Sequence, residues 1–257
     1  MCELFGVSAE THVEVNDLLK EFFSHSVRHM NGWGIATFHG NSTSLEKEPV
    51  TAVNSAYLRH RLAHKIETKA MIAHIRKATV GSMDYENCHP FVMRDSSGRC
   101  WTLAHNGTMF DCPMLNRYFH LQEGRTDSER ILYCLIDHIN RAIADTGREL
   151  TASERFSLLD DLVCRMTPGN KMNFLLYDSD YMYVHTNYAD SLYFSRVQGG
   201  TLFATVPLDR RIWEAVPFTT LCVYRDGKPV YTGTCHGNEY IDNINDTNLL
   251  FLDYSVL

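Results

Sequence analysis

No stretch of this 257-residue sequence is apolar for long enough to span a bilayer. Nor is there a surplus of basic charge: 24 Lys and Arg face 31 Asp and Glu, a net charge of −7. Phosphate backbones need a basic footprint, so neither nucleic acid nor a membrane is expected as a partner. Eight cysteines are present, but none forms Cys-x-x-Cys. That spacing excludes a ribbon-type zinc site and a thioredoxin-like pair. A Walker loop, a Gly-x-Ser-x-Gly elbow and a His-Glu-x-x-His motif are all missing. Gly32-Trp33-Gly34 begins like a dinucleotide fingerprint, but position 37 is Thr and no helix is expected after it.

The opening Met1-Cys2-Glu3-Leu4 lacks a basic region followed by an apolar one. A cytoplasmic protein with reduced thiols is therefore expected. The Asn-x-Thr triplets at Asn41, Asn106 and Asn245 then have no glycosylation to direct. With no repeat and no Pro/Gly-rich linker, residues 1–257 are expected to form a single domain.

What is there is a mixture of periodicities. Residues 2–7 read as a strand, and 14–29 carry Val15, Leu18, Leu19, Phe22 and Phe23 at helical spacing. Residues 33–38 and 70–75 suit strands, with a helix over 52–66 between them. Residues 101–104 suit a strand running into a turn at His105-Asn106-Gly107. The spacing of Ile131, Leu132, Leu135, Ile136, Ile139 and Ile143 predicts a helix over 127–145. Thr126 and Glu129 have the spacing of a capping box. A second helix is expected over 153–166. Short strands follow at 173–177, 181–185, 192–195, 201–205, 219–224 and 230–232, with a hairpin connection at Asp178-Ser179-Asp180. The pattern implies mixed α and β, with helices packed on sheets.

Several positions have chemistry to offer. Removal of Met1 would leave the Cys2 thiol beside a free α-amine. An amine of pKa about 7.7–8.0 is partly unprotonated at neutral pH and can serve as base to its neighbour. Arg76, at the end of a strand, can offer a planar fork to a carboxylate. Asn106-Gly107 offers a side-chain amide and a backbone N–H that can converge on one oxygen, as an oxyanion hole requires. Asp127, at a helix start, can hold an ammonium group or simply complement the helix dipole. The i, i+4 pairs His25/His29 and His60/His64 have zinc-binding spacing but no acidic third ligand in a known motif. Both pairs are expected on solvated helix faces, with no metal bound.

In order along the chain, Met1-Cys2, Asn31-Gly-Trp-Gly-Ile-Ala36, His74-x-Arg-x-Ala-Thr-x-Gly81, His89-Pro90, His105-Asn-Gly107 and Thr126-Asp-Ser-Glu129 resemble the class II glutamine amidotransferases. The resemblance covers roughly the first 130 residues. It implies an α+β fold, a four-layer αββα sandwich of the N-terminal-nucleophile hydrolase type. It implies Cys2 as nucleophile, its amine as base, and Asn106 and Gly107 as the oxyanion hole. Arg76 and Asp127 would hold the substrate α-carboxylate and α-amine, with Thr79 and the backbone at Lys77 lining the pocket. Gly32, Trp33 and Gly34 would form a loop near the nucleophile, and His89 would support the pocket from behind. No cofactor is implied.

Three departures bear on substrate. Glu3 stands where many members have Gly, Asn31 where short stand-alone members have Asp, and Lys77 where long biosynthetic members have an aromatic. The length leaves little room for an ammonia-using domain. The expected partners are therefore glutamine or a γ-glutamyl amide, with a separate synthase subunit as the alternative destination of the ammonia. A binding module that kept the pocket and lost turnover is the non-enzyme alternative.

Overall fold

The computed structural model describes residues 2–77 and 83–243. In chain order the strands and helices are β1 (Glu3–Glu14), α1 (Asn16–Ser24), β2 (Trp33–His39), β3 (Ser42–Glu48), α2 (Ala56–Leu62), β4 (Glu67–Ile75), β5 (Phe91–Arg94) and β6 (Cys100–Thr108). Then come α3 (Asp127–Thr146), α4 (Ala152–Met166), β7 (Lys171–Tyr177), β8 (Met182–His185), β9 (Tyr193–Val197), β10 (Gly200–Ala204), β11 (Glu214–Ala215), β12 (Cys222–Arg225) and β13 (Lys228–Thr232). Two antiparallel sheets result, in the orders β11-β9-β10-β1-β4-β2-β3 and β13-β12-β8-β7-β6-β5.

Alternation along the strands sorts side chains into three cores. Phe5, Val7, Trp33, Ile35 and Ile75 pack under α1 and α2 with Leu18, Leu19 and Phe22. Leu4, Ile72, Ala104, Leu175 and Val184 fill the space between the sheets. Trp101, Leu103, Phe174 and Leu176 pack against α3 and α4 through Ile131, Leu135, Leu159 and Val163. Helices, sheet, sheet and helices are thus stacked in four layers, the αββα arrangement.

Most expected elements are present, with instructive differences. β1 runs to Glu14 rather than stopping at 7, because β4 pairs with it as far as Glu14↔Glu67 across a register shift. The helix expected over 14–29 ends as α at Ser24 and tightens into a 3₁₀ turn over His25–Arg28. The turn expected at His105-Asn106-Gly107 is strand: these residues pair with Phe174, Asn173 and Met172 of β7. Pairing with a partner strand overrides the local turn preference of Asn-Gly. β3 was unreadable because Ser42–Glu48 is polar and charged, as suits a sheet edge.

The cap of α3 is half of what was expected. Thr126 Oγ1 accepts from the Glu129 N–H at 3.3 Å, but the Glu129 carboxylate accepts from the N–H groups of Glu123 and Gly124 instead of returning to Thr126. The complete capping box is at α4, between Thr151 and Glu154.

Candidate active site

Cys2 stands one residue before β1, which brings it beside the end of β4, since Glu3 pairs with Ile75. Its Sγ lies 3.3 Å from the Lys77 amide N–H, which donates to it. The thiol in turn donates to the Lys77 carbonyl at 3.4 Å. Leu4 points between the sheets and Phe5 toward the helices, so alternation turns Cys2 between the sheets as well. Burial pushes its thiol up from the ordinary value, against the opposing pull of the Lys77 N–H and the Arg76 guanidinium.

The same alternation applies to β4. Ile72 points between the sheets, and so do His74 and, just past the strand, Arg76. The Arg76 backbone is clamped on both sides: its N–H donates to Gly32 O at 2.8 Å, and its carbonyl accepts from Asn31 N–H at 3.0 Å. Arg76 is 2% exposed. Burial lowers its pKa, while the anionic forms of Cys2, Cys88, Asp84 and Asp127 raise it. A guanidinium stays charged under such opposing influences, so a cation stands beside the thiol.

From the facing sheet comes Asn106. On β6, Trp101 and Leu103 face α3 and Ala104 faces the other sheet, so Asn106 also points between the sheets. It is 2% exposed, and among the described residues no protein group hydrogen-bonds its side-chain amide. Gly107 follows where no side chain fits: a Cβ there would lie 2.0 Å from Lys171 O and 2.4 Å from His105 Nε2. Asp127 begins α3, and its Oδ2 accepts from the Met109 N–H at 2.7 Å. Its other oxygen lies 3.2 Å from Ser128 Oγ, which lies 2.9 Å from His105 Nδ1. The carboxylate is thus tied to the strand that carries Asn106 and Gly107.

Gly32 and Gly34 both lie close to this site. At Gly34 a Cβ would meet His89 O at 2.1 Å, and at Gly32, with φ +131°, it would meet Cys88 Sγ at 2.6 Å. Trp33 differs from expectation. It opens β2 and faces the helices, stacking on Tyr57 and donating through Nε1 to Glu48 at 3.2 Å. Strand alternation sends the indole into that core while its glycine neighbours face the other way. His89 stacks on His74 with ring centroids 4.2 Å apart, and both are buried. Burial lowers both, His74 to about 3. The Lys77 backbone lies against Cys2 Sγ, and its side chain is exposed. Thr79 lies outside the described residues.

His74 and Ser128 were not singled out by residue type, though both fall inside the motifs. No signal in the sequence pointed to Asn173, which stands opposite Asn106 only through strand register.

Among the described residues there is no cluster of three or more His, Cys, Asp or Glu suited to a metal. His25 and His29 do not form a solvated face. Both rings turn onto Glu3, at 2.8 and 3.7 Å, because the 3₁₀ turn rotates them toward β1. His60 and His64 do lie exposed on α2 and just beyond it. No described helix is long and apolar enough to cross a membrane.

Comparison with known proteins agrees with this geometry. The family model for class II glutamine amidotransferases matches residues 1–198. An uncharacterized protein of Methanocaldococcus jannaschii is 29% identical over 90% of this chain and 71% of its own. The Escherichia coli protein YafJ, named as a candidate glutamine amidotransferase, is 31% identical over 73% of this chain and 74% of its own. Among solved structures, a predicted glutamine amidotransferase from Pseudomonas aeruginosa superposes with a TM-score of 0.62 at 21% identity, over 90% of this chain and all of that one. The phosphoribosylpyrophosphate amidotransferase of Bacillus subtilis superposes with a TM-score of 0.67 at 19% identity, over 91% of this chain but 49% of that one. At these identities the structures speak for the fold, and the family match extends through the Cys2, Arg76, Asn106 and Asp127 positions. The chain belongs to the class II glutamine amidotransferases.

Proposed function

We propose that this protein, acting as a single domain, hydrolyses the side-chain amide of glutamine or of a γ-glutamyl compound, with Cys2 as N-terminal nucleophile after removal of Met1. The observation that carries the reading is the seat of Cys2 between the N–H and C=O of Lys77, with the buried Arg76 beside it. A binding module needs no thiol at that point.

In this reading Arg76 pairs with the substrate α-carboxylate and Asp127 with its α-amine, presenting the γ-carbonyl to Cys2. Gly32, Gly34 and the Lys77 backbone line the pocket, joined by Thr79, while His89 supports it from behind through His74. Burial keeps the resting thiol protonated, so a base is needed. His74, lowered to about 3, is a poor one. The α-amine of Cys2 takes the thiol proton as sulfur bonds to the γ-carbon. The carbonyl oxygen becomes an oxyanion, held by the Asn106 side-chain N–H and the Gly107 N–H. The same amine returns its proton to the leaving nitrogen as the C–N bond breaks. Water, deprotonated by the amine, then attacks the thioester; glutamate leaves and the thiol is restored.

The leaving group is ammonia when glutamine is cleaved and an amine when another γ-glutamyl compound is. A synthase subunit that receives ammonia is the second reading. It is favoured by the amidophosphoribosyltransferase of Methanocaldococcus jannaschii, of which the matched region is only 35%. The eight free cysteines suit a cytoplasmic setting. Glutamate release from glutamine and from a panel of γ-glutamyl dipeptides tests the reading, together with labelling by an electrophilic glutamine analogue. One adduct on Cys2 is expected. Labelling of another thiol with Cys2 untouched overturns the assignment.

A further inference from the structure

Asn173 is fully buried, and its side-chain nitrogen Nδ2 has no hydrogen-bond partner among the described residues. Leaving a buried amide donor unpaired leaves its desolvation cost uncompensated, so a partner for it is expected. Its other end is held firmly. Oδ1 accepts from Thr186 Oγ1 at 2.8 Å and from the Asn187 backbone N–H at 3.1 Å. A backbone N–H can only donate, so the amide cannot be flipped. Thr186 and Asn187 follow β8, which lies on one side of β7; β6 lies on the other. With Oδ1 turned toward the β8 side, Nδ2 is turned toward β6.

The residue directly opposite on β6 is Asn106. Met172, Phe174 and Leu176 face α3 and α4 while Leu175 faces the other sheet, so Asn173 shares the inner face with Asn106. Opposed residues on one face have Cβ atoms about 4.5–5.5 Å apart, within reach of two amide side chains. Asn106 must keep its own Nδ2 for the oxyanion, which leaves its Oδ1 as an acceptor.

We infer that Asn173 is a positioning residue for the oxyanion hole, donating through Nδ2 to Asn106 Oδ1 so that Asn106 Nδ2 faces the carbonyl attacked by Cys2. The inference rests on the hydrolase reading above. Rotation of the Asn106 amide, which no described protein group holds, closes the Thr186–Asn173–Asn106 row into one hydrogen-bonded line ending on the substrate, its far end fixed by the Asn187 backbone. Asn173 does not touch the substrate; it sets the orientation of the group that does.

The test uses L-glutamine and L-γ-glutamyl-p-nitroanilide as probes on the full chain. Asn173→Asp keeps the Oδ1 acceptor and the shape but replaces the donor by oxygen. Its kcat should fall by about 10- to 100-fold, with KM changed less than threefold, a smaller loss than removal of the oxyanion donor itself. The ratio of variant to parent kcat should rise as the pH is lowered, because a protonated carboxyl regains a donor. A role in folding alone does not produce that rise. Asn173→Ala removes both ends and should also lose stability. A parent-like kcat for folded Asn173→Asp across the pH range overturns the inference. If the parent turns over neither probe, the hydrolase reading fails, and the side-chain amide resonances of Asn106, identified by their loss in Asn106→Ala, still decide the contact. Their unchanged shifts and exchange rates in Asn173→Asp would overturn it, and altered ones would uphold it.

Discussion

The Asp127 carboxylate accepts the backbone N–H of Met109 at 2.7 Å, joining the first turn of α3 to the chain just past β6. One carboxylate thereby braces the strand of Asn106 and Gly107 while lying close enough to Arg76 to raise its pKa. Asp127→Asn keeps an acceptor for Met109 but loses the charge that would hold a substrate ammonium. It should raise KM for glutamine or a γ-glutamyl probe at least tenfold, with kcat changed less. Asp127→Ala should in addition lower stability by about 1–3 kcal/mol, since Met109 N–H is left unpaired. Steady-state kinetics and urea denaturation separate the two effects.

Cys2→Ala should abolish turnover and leave the fold intact, because among the described residues the thiol makes only two long hydrogen bonds, both to Lys77. Protein shown by intact mass to retain Met1 should be almost inactive, since its α-amine is no longer beside the thiol. Full activity in that form would remove the N-terminal-nucleophile mechanism.

Arg76→Lys keeps a charge and discards the fork. KM should rise while kcat is held within a few fold. Binding of substrate as tight as the parent's would refute the carboxylate role.

Asn106→Ala should lower kcat by about 100- to 1,000-fold, the equivalent of about 2.7–4 kcal/mol, with a much smaller change in KM. Its melting temperature should fall only slightly, since the contact inferred with Asn173 is the one bond its amide would lose. A destabilised variant with near-normal kcat per folded molecule would assign Asn106 to the fold instead. Gly107→Ala provides the contrast. Its Cβ would lie 2.0 Å from a backbone carbonyl, so stability should fall by about 1–3 kcal/mol or more.

His74 and His185 are both buried, and burial lowers each to about 3. The folded protein keeps them neutral, whereas the unfolded chain binds protons on both below about pH 6.5. The stability they contribute is therefore complete above about 6.5 and is lost as the pH falls toward 3. Each ring should contribute a slope of at most about 1.4 kcal/mol per pH unit in that window. His185 is the cleaner probe. His236 Nδ1 accepts from the Asn238 N–H, so its Nε2 carries the proton donated to His185 Nε2 at 3.0 Å. His185 Nδ1 then donates to Met172 O at 2.6 Å. A melting curve for His185→Gln that falls with acid as steeply as the parent's would contradict this.

The sequence alone was enough for the family, because motifs of fixed order constrain residue identity directly. The same motifs name Cys2, Arg76, Asn106-Gly107 and Asp127 as the candidates for its chemistry. α3 and α4 were legible because helical periodicity is local. Tertiary structure alone decided which way each side chain points. Trp33 sits among glycines that approach the site, yet strand alternation buries it on the helix side. Asn106-Gly107 reads locally as a turn, yet pairing with β7 makes it strand. His25 and His29, a solvated pair by spacing, are drawn onto Glu3. Asn173 carries no signal at all until register sets it across from Asn106. The reason is physical: a residue's partners across a sheet lie about 70 positions away in the chain for this pair, and no local pattern encodes that distance.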